Sequence, residues 1–364
     1  MKHVPLYRTH VDAGAKMAPF AGWEMPIQYP AGSIEEHRLV RRSAGLFDVS
    51  HMGRLKVTGT GAAAYLDRLV SSSIAKLGVN ESTYGLLCNE SGGVIDDLFV
   101  YRLAESWLVV VNASNAEKDI AWFRSHLPES GATLTDVSDQ TVMFAFQGPQ
   151  AIALLDHDTG GRASAIERFH AALIDVCGVP CTVGRTGYTG EDGVELFAAA
   201  DHAERLWTGI LALADRHGVD AGPIGLAARD SLRFEPGFPL YGHELDEQTT
   251  PVEARLTWAC DPDTDFIGRD AILERKRAGA ERKLATVVME ERGVPRQGCD
   301  VYHEDRCVGV VTTGLYAPTV DAFCANVYVE SELARTGSIV HIDIRGGRKR
   351  AVVASRPLYK PAYR

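Results

Sequence analysis

The pattern of hydrophobic and polar positions predicts a mixture of strands and helices along the chain. Three apolar runs rich in β-branched and aromatic residues lie at 84–89, 94–102 and 107–112, and short turns join them. Short connections between successive strands are typical of an antiparallel meander. A helix over 116–125 and a strand over 133–137 complete this predicted unit.

Apolar residues that recur every three or four positions predict helices elsewhere in the chain. The helices predicted in this way cover 34–43, 62–70, 201–217, 224–235 and 270–277. Ser33 is followed by Glu36 three residues later, which predicts a capping box at the start of the first of these helices.

The C-terminal part, from 282 onward, reads as a series of short strands separated by turns. The predicted strands cover 284–290, 300–302, 308–312, 325–329, 338–344 and 350–354. Such a series predicts an all-β domain, either a small barrel or a jelly roll. Just before it, residues 246–263 predict a connection with one strand that carries Trp258.

Gly59, Gly61 and Ala64 form a G-x-G-x-x-A pattern between a predicted strand and a predicted helix. This pattern occurs in dinucleotide-binding folds, where strands and helices alternate around a parallel sheet. The strands that follow here have hairpin spacing instead, so we reject a dinucleotide site.

Two adjacent carboxylates, Asp96 and Asp97, lie within the apolar strand predicted over 94–102. Successive strand residues point to opposite faces, so one of the two should face inward, where a carboxylate requires a partner. Acidic residues also occur on edge strands, where they keep a sheet from pairing with other chains. The strand pattern alone favours this second explanation.

The composition, with 45% hydrophobic and 24% charged residues, is that of a soluble globular protein. A chain of 364 residues is long enough for two or three domains. No apolar run approaches the roughly 20 residues that span a bilayer, and the N-terminus lacks the apolar core of a signal peptide. We therefore expect a cytoplasmic protein that does not act at a membrane.

Charge and cysteine content narrow the function further. The net charge of −10 argues against nucleic-acid binding, and the seven scattered cysteines indicate reduced thiols. His37 and His51 lack further ligands at metal-binding spacing, so we expect hydrogen-bonded structural histidines and no metal site. Basic residues from Arg345 to Arg364 indicate an anionic partner or, more commonly on charge alone, a solvated surface.

Motifs spread over most of the chain resemble, in the same order, those of the aminomethyltransferase family, the T-protein of the glycine cleavage system. The matching stretches are Gly14-Ala-Lys-Met, Phe20-Ala-Gly-Trp-Glu-Met-Pro, Ala44-Gly-Leu-Phe-Asp-Val-Ser-His-Met-Gly, Gly92-Gly-Val-Ile-Asp-Asp-Leu, Gln147-Gly-Pro, Arg185-Thr-Gly-Tyr-Thr-Gly-Glu-Asp-Gly, Ala228-Arg-Asp-Ser-Leu-Arg, Leu240-Tyr-Gly, Thr250-Pro-Val-Glu-Ala and Asp265-Phe-Ile-Gly.

The resemblance implies an α+β fold of three domains, arranged as a cloverleaf around a central hole that holds tetrahydrofolate. Residues 1–52 and 140–245 would form a discontinuous folate-binding domain. Residues 53–139 would form an inserted antiparallel sheet with helices, and residues 246–364 a C-terminal β-barrel-like or jelly-roll-like domain.

The family's reaction implies partners and a co-substrate. An aminomethyl group hangs from the lipoyl arm of a carrier, the H-protein, which works with the other glycine cleavage components. The enzyme transfers the methylene to tetrahydrofolate, releases ammonia and requires no metal. An alternative on the same scaffold is a tetrahydrofolate-dependent demethylase that acts on another small methylated donor.

The resemblance also assigns roles to individual residues. Asp97, the second acid of its motif, corresponds to the catalytic carboxylate, while Asp96 is left as a surface acid. The residues implied to bind folate are Tyr84, Asn112, Tyr188, Glu195, Arg229 and Trp258. A simpler explanation for Arg229 is a surface ion pair with Asp230 or Glu235. Tyr359 or Tyr363 is a further candidate for substrate contact.

Some positions depart from the family's sequence pattern, and they bear on which one-carbon donor the protein uses and on a paralogous group. Arg255 stands where the family has a small residue, and the Thr312-Thr-Gly-Leu-Tyr-Ala-Pro stretch differs from the family's, near the expected approach of the carrier. A paralogous group involved in iron–sulfur cluster assembly resembles Lys-Gly-Cys-Tyr-x-Gly-Gln-Glu where this chain has Arg185-Thr-Gly-Tyr-Thr-Gly-Glu-Asp. The reactive cysteine is absent here, so we disfavour that function.

Overall fold

The computed structural model describes residues 1–361. A small three-stranded sheet, in the order β1-β3-β2, opens the chain, and a helix then leads into a buried strand. The elements are β1 (Lys2–His3), α1 (Tyr7–Asp12), β2 (Lys16–Phe20), β3 (Trp23–Gln28), α2 (Ser33–Arg42) and β4 (Ala44–Asp48).

Helix α2 begins without the predicted capping box. Gly32, at a φ of 82°, precedes the helix, and Ser33 makes no capping hydrogen bond. The carboxylate of Glu36 instead accepts hydrogen bonds from the backbone N–H groups of Tyr29 at 2.5 Å and Gly225 at 2.7 Å. The capping-box prediction is therefore wrong, because tertiary donors take the side chain that would have capped the helix.

The next segment forms a five-stranded antiparallel sheet in the order β6-β7-β8-β5-β9, with two helices packed on it. The elements are β5 (Gly53–Thr58), α3 (Ala62–Leu69), β6 (Ser82–Cys88), β7 (Val94–Arg102), β8 (Trp107–Val111), α4 (Ala116–Ser125) and β9 (Thr133–Asp136). The predicted meander is confirmed, and its antiparallel pairing bears out the rejection of a dinucleotide fold.

A six-stranded sheet follows, in the order β11-β12-β13-β10-β4-β14. Strand β4 pairs with β10. This sheet therefore combines a segment that precedes the five-stranded sheet in the sequence with segments that follow it. The elements are β10 (Thr141–Gln147), α5 (Ala151–Thr159), β11 (Ala171–Val176), β12 (Val179–Gly184), β13 (Gly193–Ala199), α6 (Ala203–His217), β14 (Ala221–Pro223) and α7 (Leu226–Phe234).

The last part of the chain forms a closed six-stranded barrel. Trp258 lies in a short 3-10 helix, Thr257–Ala259, so the strand predicted there is wrong. The remaining elements are α8 (Arg269–Ala278), β15 (Arg282–Met289), β16 (Asp300–His303), β17 (Arg306–Ala317), β18 (Ala322–Glu330), β19 (Ile339–Ile344) and β20 (Gly347–Val353). Alternate strand residues fill the barrel core, as their period-two pattern requires.

Candidate active site

The Asp96–Asp97 pair lies in the interior of the five-stranded sheet, since β7 is bonded to β6 on one side and to β8 on the other. The preceding turn depends on glycine. Gly92 has a φ of +82°, and a Cβ on Gly93 would lie 1.8 Å from the carbonyl oxygen of Glu247. The explanation of the pair as edge-strand charges is therefore wrong.

Asp96 is fully buried. The backbone N–H of Asn112 donates to Oδ2 at 3.0 Å, and the side-chain amides of Asn112 and Asn115 donate to Oδ1 at 2.9 and 2.7 Å. The prediction of a surface acid is wrong. Asp96 anchors the segment that follows β8, which sequence periodicity could not show because its donors come from other elements.

Asp97 faces a cavity on the other side of the strand. The hydroxyl of Tyr84 donates to Oδ2 at 3.1 Å, and Nδ2 of Asn112 donates to Oδ1 at 2.8 Å. Burial, together with the nearby charge of Asp96, raises the pKa of Asp97 to about 7, although these two hydrogen bonds act in the opposite direction. A carboxyl group that titrates near neutral pH is suited to acid–base or electrostatic work.

Glu195 on β13 is buried in the wall of the same cavity. The hydroxyls of Tyr101 and Thr186 each donate to Oε2 at 2.7 Å. Within residues 1–361, no group donates a hydrogen bond to Oε1. The side chain is therefore fixed in direction and keeps an acceptor available for a ligand.

A tight loop over 185–192 brings Tyr188 into the cavity. Gly187 is required in this loop, since a Cβ there would lie 1.9 Å from Oε1 of Gln147. Nε2 of Gln147 also donates a hydrogen bond to the backbone carbonyl oxygen of Thr186 at 3.0 Å, which holds the loop in place. The hydroxyl of Tyr188 donates to the carbonyl oxygen of Pro239, so the ring forms a fixed wall.

Arg229 on α7 places its guanidinium 4.8 Å from the ring centroid of Tyr188. Asp230 pairs with Arg233, and Glu235 pairs with another arginine, so the predicted alternative of a surface ion pair with either acid is wrong. Nη1 of Arg229 is shielded from solvent and has no hydrogen-bond partner in the described part of the chain. Burial lowers the pKa of this guanidinium. An unsatisfied donor of this kind indicates a site for a ligand acceptor.

Trp258 presents its ring at the surface, with 71% of the residue exposed. It stacks on Tyr84, with ring centroids 5.5 Å apart and an interplanar angle of 24°. A large aromatic side chain held in this way offers a flat surface for a planar ligand.

Three adjoining cavities connect these residues. The inner pocket, of about 100 Å³, is lined by Tyr84, Asp97, Asn112, Tyr188, Glu195 and Arg229, among others. An outer chamber of about 340 Å³ has Trp258 in its wall and shares Asp97 with the inner pocket. A far chamber of about 380 Å³ shares Asn112 with it, and Tyr188 lines all three. The structure thus brings six of the predicted site residues together and places the seventh at the entrance.

The two histidines differ from each other. His37 lies 2.8 Å from the hydroxyl of Ser231 and 2.9 Å from that of Thr319, as expected for a structural histidine. His51 lines the far chamber, and its Nδ1 is buried without a hydrogen-bond partner among residues 1–361. Burial, reinforced by Arg229, lowers the pKa of His51 to about 3. The prediction of a satisfied structural residue is therefore wrong for His51.

Sequence reasoning missed the residues that support this site. Asn115 and Asp119 lie one turn apart at the start of α4, and both are buried. Two polar residues at that spacing on a helix face that packs against a sheet are a signal that could have identified them. The support that Tyr101 gives to Glu195 carries no such signal, since Tyr101 lies in an apolar strand.

The C-terminal segment contributes little to the cavities. The ring of Tyr359 packs on the guanidinium of Arg41 at 4.0 Å, away from the three cavities, and Tyr363 lies outside the described residues. Arg348 and Lys349 pair with surface carboxylates, which agrees with the solvated-surface explanation of the basic tail.

The described part of the chain holds neither a metal-ligand cluster nor a helix suited to a membrane. Residues 1–361 contain no group of three or more histidine, cysteine, aspartate or glutamate side chains placed to hold a metal ion. Within the same range, no helix has the length and apolar character needed to cross a bilayer.

Family models match nearly the whole chain. The model of the GCVT N-terminal domain matches residues 6–264, and that of the glycine cleavage T-protein C-terminal barrel domain matches residues 282–360. The chain belongs to the glycine cleavage T-protein family. The resemblance drawn from the sequence motifs, and with it the predicted class of enzyme, is confirmed.

Relatives of this T-protein family member match over their full lengths. The aminomethyltransferase of Geobacillus kaustophilus is 43% identical, with 100% of both chains covered. That of Symbiobacterium thermophilum is 44% identical, covering 100% of this chain and 99% of the relative. The crystal structure of the glycine cleavage system aminomethyltransferase T from Bartonella henselae aligns with a TM-score of 0.92 at 34% identity, covering 99% of this chain and 98% of the other. The predicted α+β fold with a C-terminal barrel is confirmed.

Proposed function

We propose that this T-protein family member transfers the methylene of an aminomethyl group from the lipoyl arm of an H-protein to tetrahydrofolate. The products are 5,10-methylenetetrahydrofolate, ammonia and the dihydrolipoyl carrier. The donor's carbon–sulfur and carbon–nitrogen bonds break, and two carbon–nitrogen bonds to folate form. The two hydrogens displaced from the folate nitrogens go to the sulfur and to the departing ammonia.

One observation carries this proposal. Asp97 is held by Tyr84 and Asn112 in a pocket where Glu195 and Arg229 also present unused hydrogen-bonding atoms. The carboxyl group of Asp97, an acceptor on Glu195 and a donor on Arg229 converge on a pocket of about 100 Å³, which the outer and far chambers adjoin. Such an arrangement suits a small polar ring with a longer substituent.

In the proposed reaction, ionised Asp97 stabilises the positive charge that develops on the transferred iminium-like carbon and the folate nitrogen. The hydrogen bonds from Tyr84 and Asn112 fix the direction of its carboxylate, at 3.1 and 2.8 Å. Holding the folate nitrogen in reach of the carbon supplies a further large part of the rate.

The same pocket accounts for folate binding. Oε1 of Glu195 accepts hydrogen bonds from the donor-rich edge of the pterin's aminopyrimidinone ring. Nη1 of Arg229, which has no hydrogen-bond partner among residues 1–361, donates to an oxygen of the folate. Trp258 forms an aromatic wall for the p-aminobenzoyl ring in the outer chamber.

The far chamber suits the lipoyl arm. Its wall includes the apolar side chains of Phe20, Ile27, Met52, Leu226 and Leu240. An aliphatic arm that ends in sulfur matches such a lining, and the shared residue Asn112 brings its end beside the inner pocket.

The proposal includes the protein's wider setting. We place the reaction in the cytoplasm, with the H-protein and the other glycine cleavage components as partners. We also propose that residues 1–52 with 140–245, residues 53–139 and residues 246–364 are the three domains, since each contains one of the large sheets or the barrel.

The decisive experiment supplies purified protein with tetrahydrofolate and a carrier bearing the aminomethylated lipoyl arm. We expect ammonia and methylenetetrahydrofolate in equal amounts. The demethylase alternative is not favoured by the relatives, which are aminomethyltransferases. Turnover of a methylated small molecule, without turnover of a competent carrier, would overturn the proposal in favour of that alternative.

A further inference from the structure

Asp119 is a fully buried carboxyl group that the proposed reaction does not use. It lies on α4, and neither Oδ1 nor Oδ2 accepts a hydrogen bond from the residues that the structure describes. An ionised carboxylate without donors is very unfavourable in a buried site. The group is therefore the neutral acid, whose O–H requires an acceptor.

The structure points to Asp96 as that acceptor: Asp119 lies one helical turn after Asn115, which donates to Oδ1 of Asp96 at 2.7 Å, and burial, followed by the neighbouring Asp96, raises the pKa of Asp119. A carboxylate has about four acceptor positions, two on each oxygen. Oδ1 of Asp96 is filled by the side-chain amides of Asn112 and Asn115, while Oδ2 receives, from residues 1–361, only the backbone N–H of Asn112. The O–H of Asp119 supplies the fourth hydrogen bond.

The charges around Asp119 agree with this assignment. Burial first, and then the neighbouring carboxylates of Asp96 and Asp97, raise the pKa of Asp119. The ammonium group of Lys118 acts in the opposite direction, but it is engaged with the carbonyl oxygen of Ile95 at 2.8 Å and with other groups. A proton on Asp119 keeps three neighbouring carboxyl groups from all being charged at once.

The saturated Asp96 carboxylate fixes the amide of Asn112. The amide nitrogen donates to Oδ1 of Asp96 at 2.9 Å and to Asp97, whose Oδ1 lies at 2.8 Å and whose backbone carbonyl oxygen lies at 3.1 Å. Rotation of the amide would break both bonds. Asp97 is therefore held in one orientation in the wall of the inner pocket, which Asn112 also lines.

We propose that Asp119 is a positioning residue, which as a neutral acid completes the hydrogen bonds of Asp96 and, through Asn112, sets the direction of Asp97. The predicted effect of Asp119 on the reaction rate rests on the proposed function. The protonated state of Asp119 is independent of that function.

Two variants with the same branching and the same number of side-chain heavy atoms separate positioning from simple packing. Asp119→Asn keeps a donor for Asp96, and we expect a kcat within about threefold of the parent. Asp119→Leu removes the donor and keeps the branched outline of the side chain, with methyl groups that are larger than the oxygens they replace. We expect kcat to fall about tenfold with an unchanged or raised melting temperature. A parental kcat in Asp119→Leu, or equal losses in both variants together with lost stability, would overturn the proposal.

Infrared difference spectroscopy between the parent and Asp119→Asn tests the proton directly. Recorded at about pH 8.5, where Asp97 is ionised because its pKa is about 7, the parent should show the carbonyl stretching band of a carboxylic acid and the variant should not. An ionised Asp119 overturns this inference whatever the reaction is. A protein that shows the band but transfers no carbon would contradict the proposed function alone.

Discussion

The side-chain nitrogen of Asn112 lies 2.8 Å from Oδ1 of Asp97 and donates a hydrogen bond to it. Asp97 lies in β7, and Asn112 directly follows the neighbouring strand β8 of the same sheet. The direction of the candidate catalytic carboxylate is thus set by sheet pairing, which is among the most rigid parts of a fold. Strands β6 and β13, helix α7 and the loop over 185–192 supply most of the rest of the pocket around it.

Asp97→Asn should slow the transfer reaction strongly and leave folate binding nearly unchanged. The substitution keeps the shape of the side chain and removes the charge that stabilises the transition state, so we expect kcat to fall about a hundredfold or more. Steady-state kinetics with titration calorimetry for tetrahydrofolate separates the two effects. Near-parental activity would remove Asp97 from the catalytic role.

The reaction rate should depend on pH through the ionisation of Asp97. Since burial raises the pKa of Asp97 to about 7, the ionised form grows as the pH rises through that value. We expect kcat to increase between about pH 6 and 8 and then level off. The same limb should be missing from the residual activity of Asp97→Asn. A flat profile in the parent contradicts this assignment.

Stability should show the opposite dependence on pH. The folded pKa of Asp97, about 7, exceeds the unfolded value of about 3.9, so the folded state loses stability as the pH rises between these values. Asp97→Asn cannot ionise. It should therefore be more stable than the parent at about pH 8, by roughly 1–3 kcal/mol, with the difference gone near pH 4.

Denaturant unfolding at both pH values measures this gain. The exposed Asp12 provides the control, since Asp12→Asn should leave the midpoint unchanged at either pH. If Asp97→Asn is no more stable than the parent at the higher pH, its carboxyl group is not destabilised by burial.

Glu195→Ala should weaken tetrahydrofolate binding before it affects turnover at saturation. Loss of a charged acceptor for the pterin corresponds to about a tenfold to hundredfold rise in Kd. Titration calorimetry provides the measurement, and Glu204→Ala on the exposed face of α6 is the matched control. A parental Kd in Glu195→Ala would place the pterin elsewhere.

Trp258→Ala should reduce folate affinity about threefold to tenfold without loss of stability. The ring is 71% exposed, so its removal takes little area from the core, whereas a stacking partner is lost. Trp258→Phe should restore most of the affinity. A drop in melting temperature with unchanged affinity would show that Trp258 supports the fold through its contact with Tyr84 and not the ligand.

Local periodicity was enough to predict the strands around Asp97 and the C-terminal barrel, because hydrogen-bonded neighbours there are close in sequence or regular in pattern. The burial of Asp96 could not be predicted in this way. Its donors, Asn112 and Asn115, are 16 and 19 residues away in the chain, and only the folded sheet brings them to the carboxylate.

Tertiary contacts also explain the errors in local structure. Glu36 has the right spacing for a capping box, yet distant backbone N–H groups at 2.5 and 2.7 Å take its carboxylate. Trp258 has the propensity of a strand residue, but its neighbours fold into a 3-10 turn. The sequence motifs were more informative for the site than for these elements, since they mark residues whose partners are not local.

Tyr188 is the one described residue that lines the inner pocket and both chambers, so the outer and far chambers adjoin without overlapping elsewhere. Two substrates placed in these chambers would not exclude each other and would meet at the shared pocket. Double-reciprocal initial-rate plots at several fixed concentrations of the second substrate should then give intersecting lines, as expected for a ternary complex. A ping-pong enzyme, which holds the carbon covalently after the first product has left, would give parallel lines.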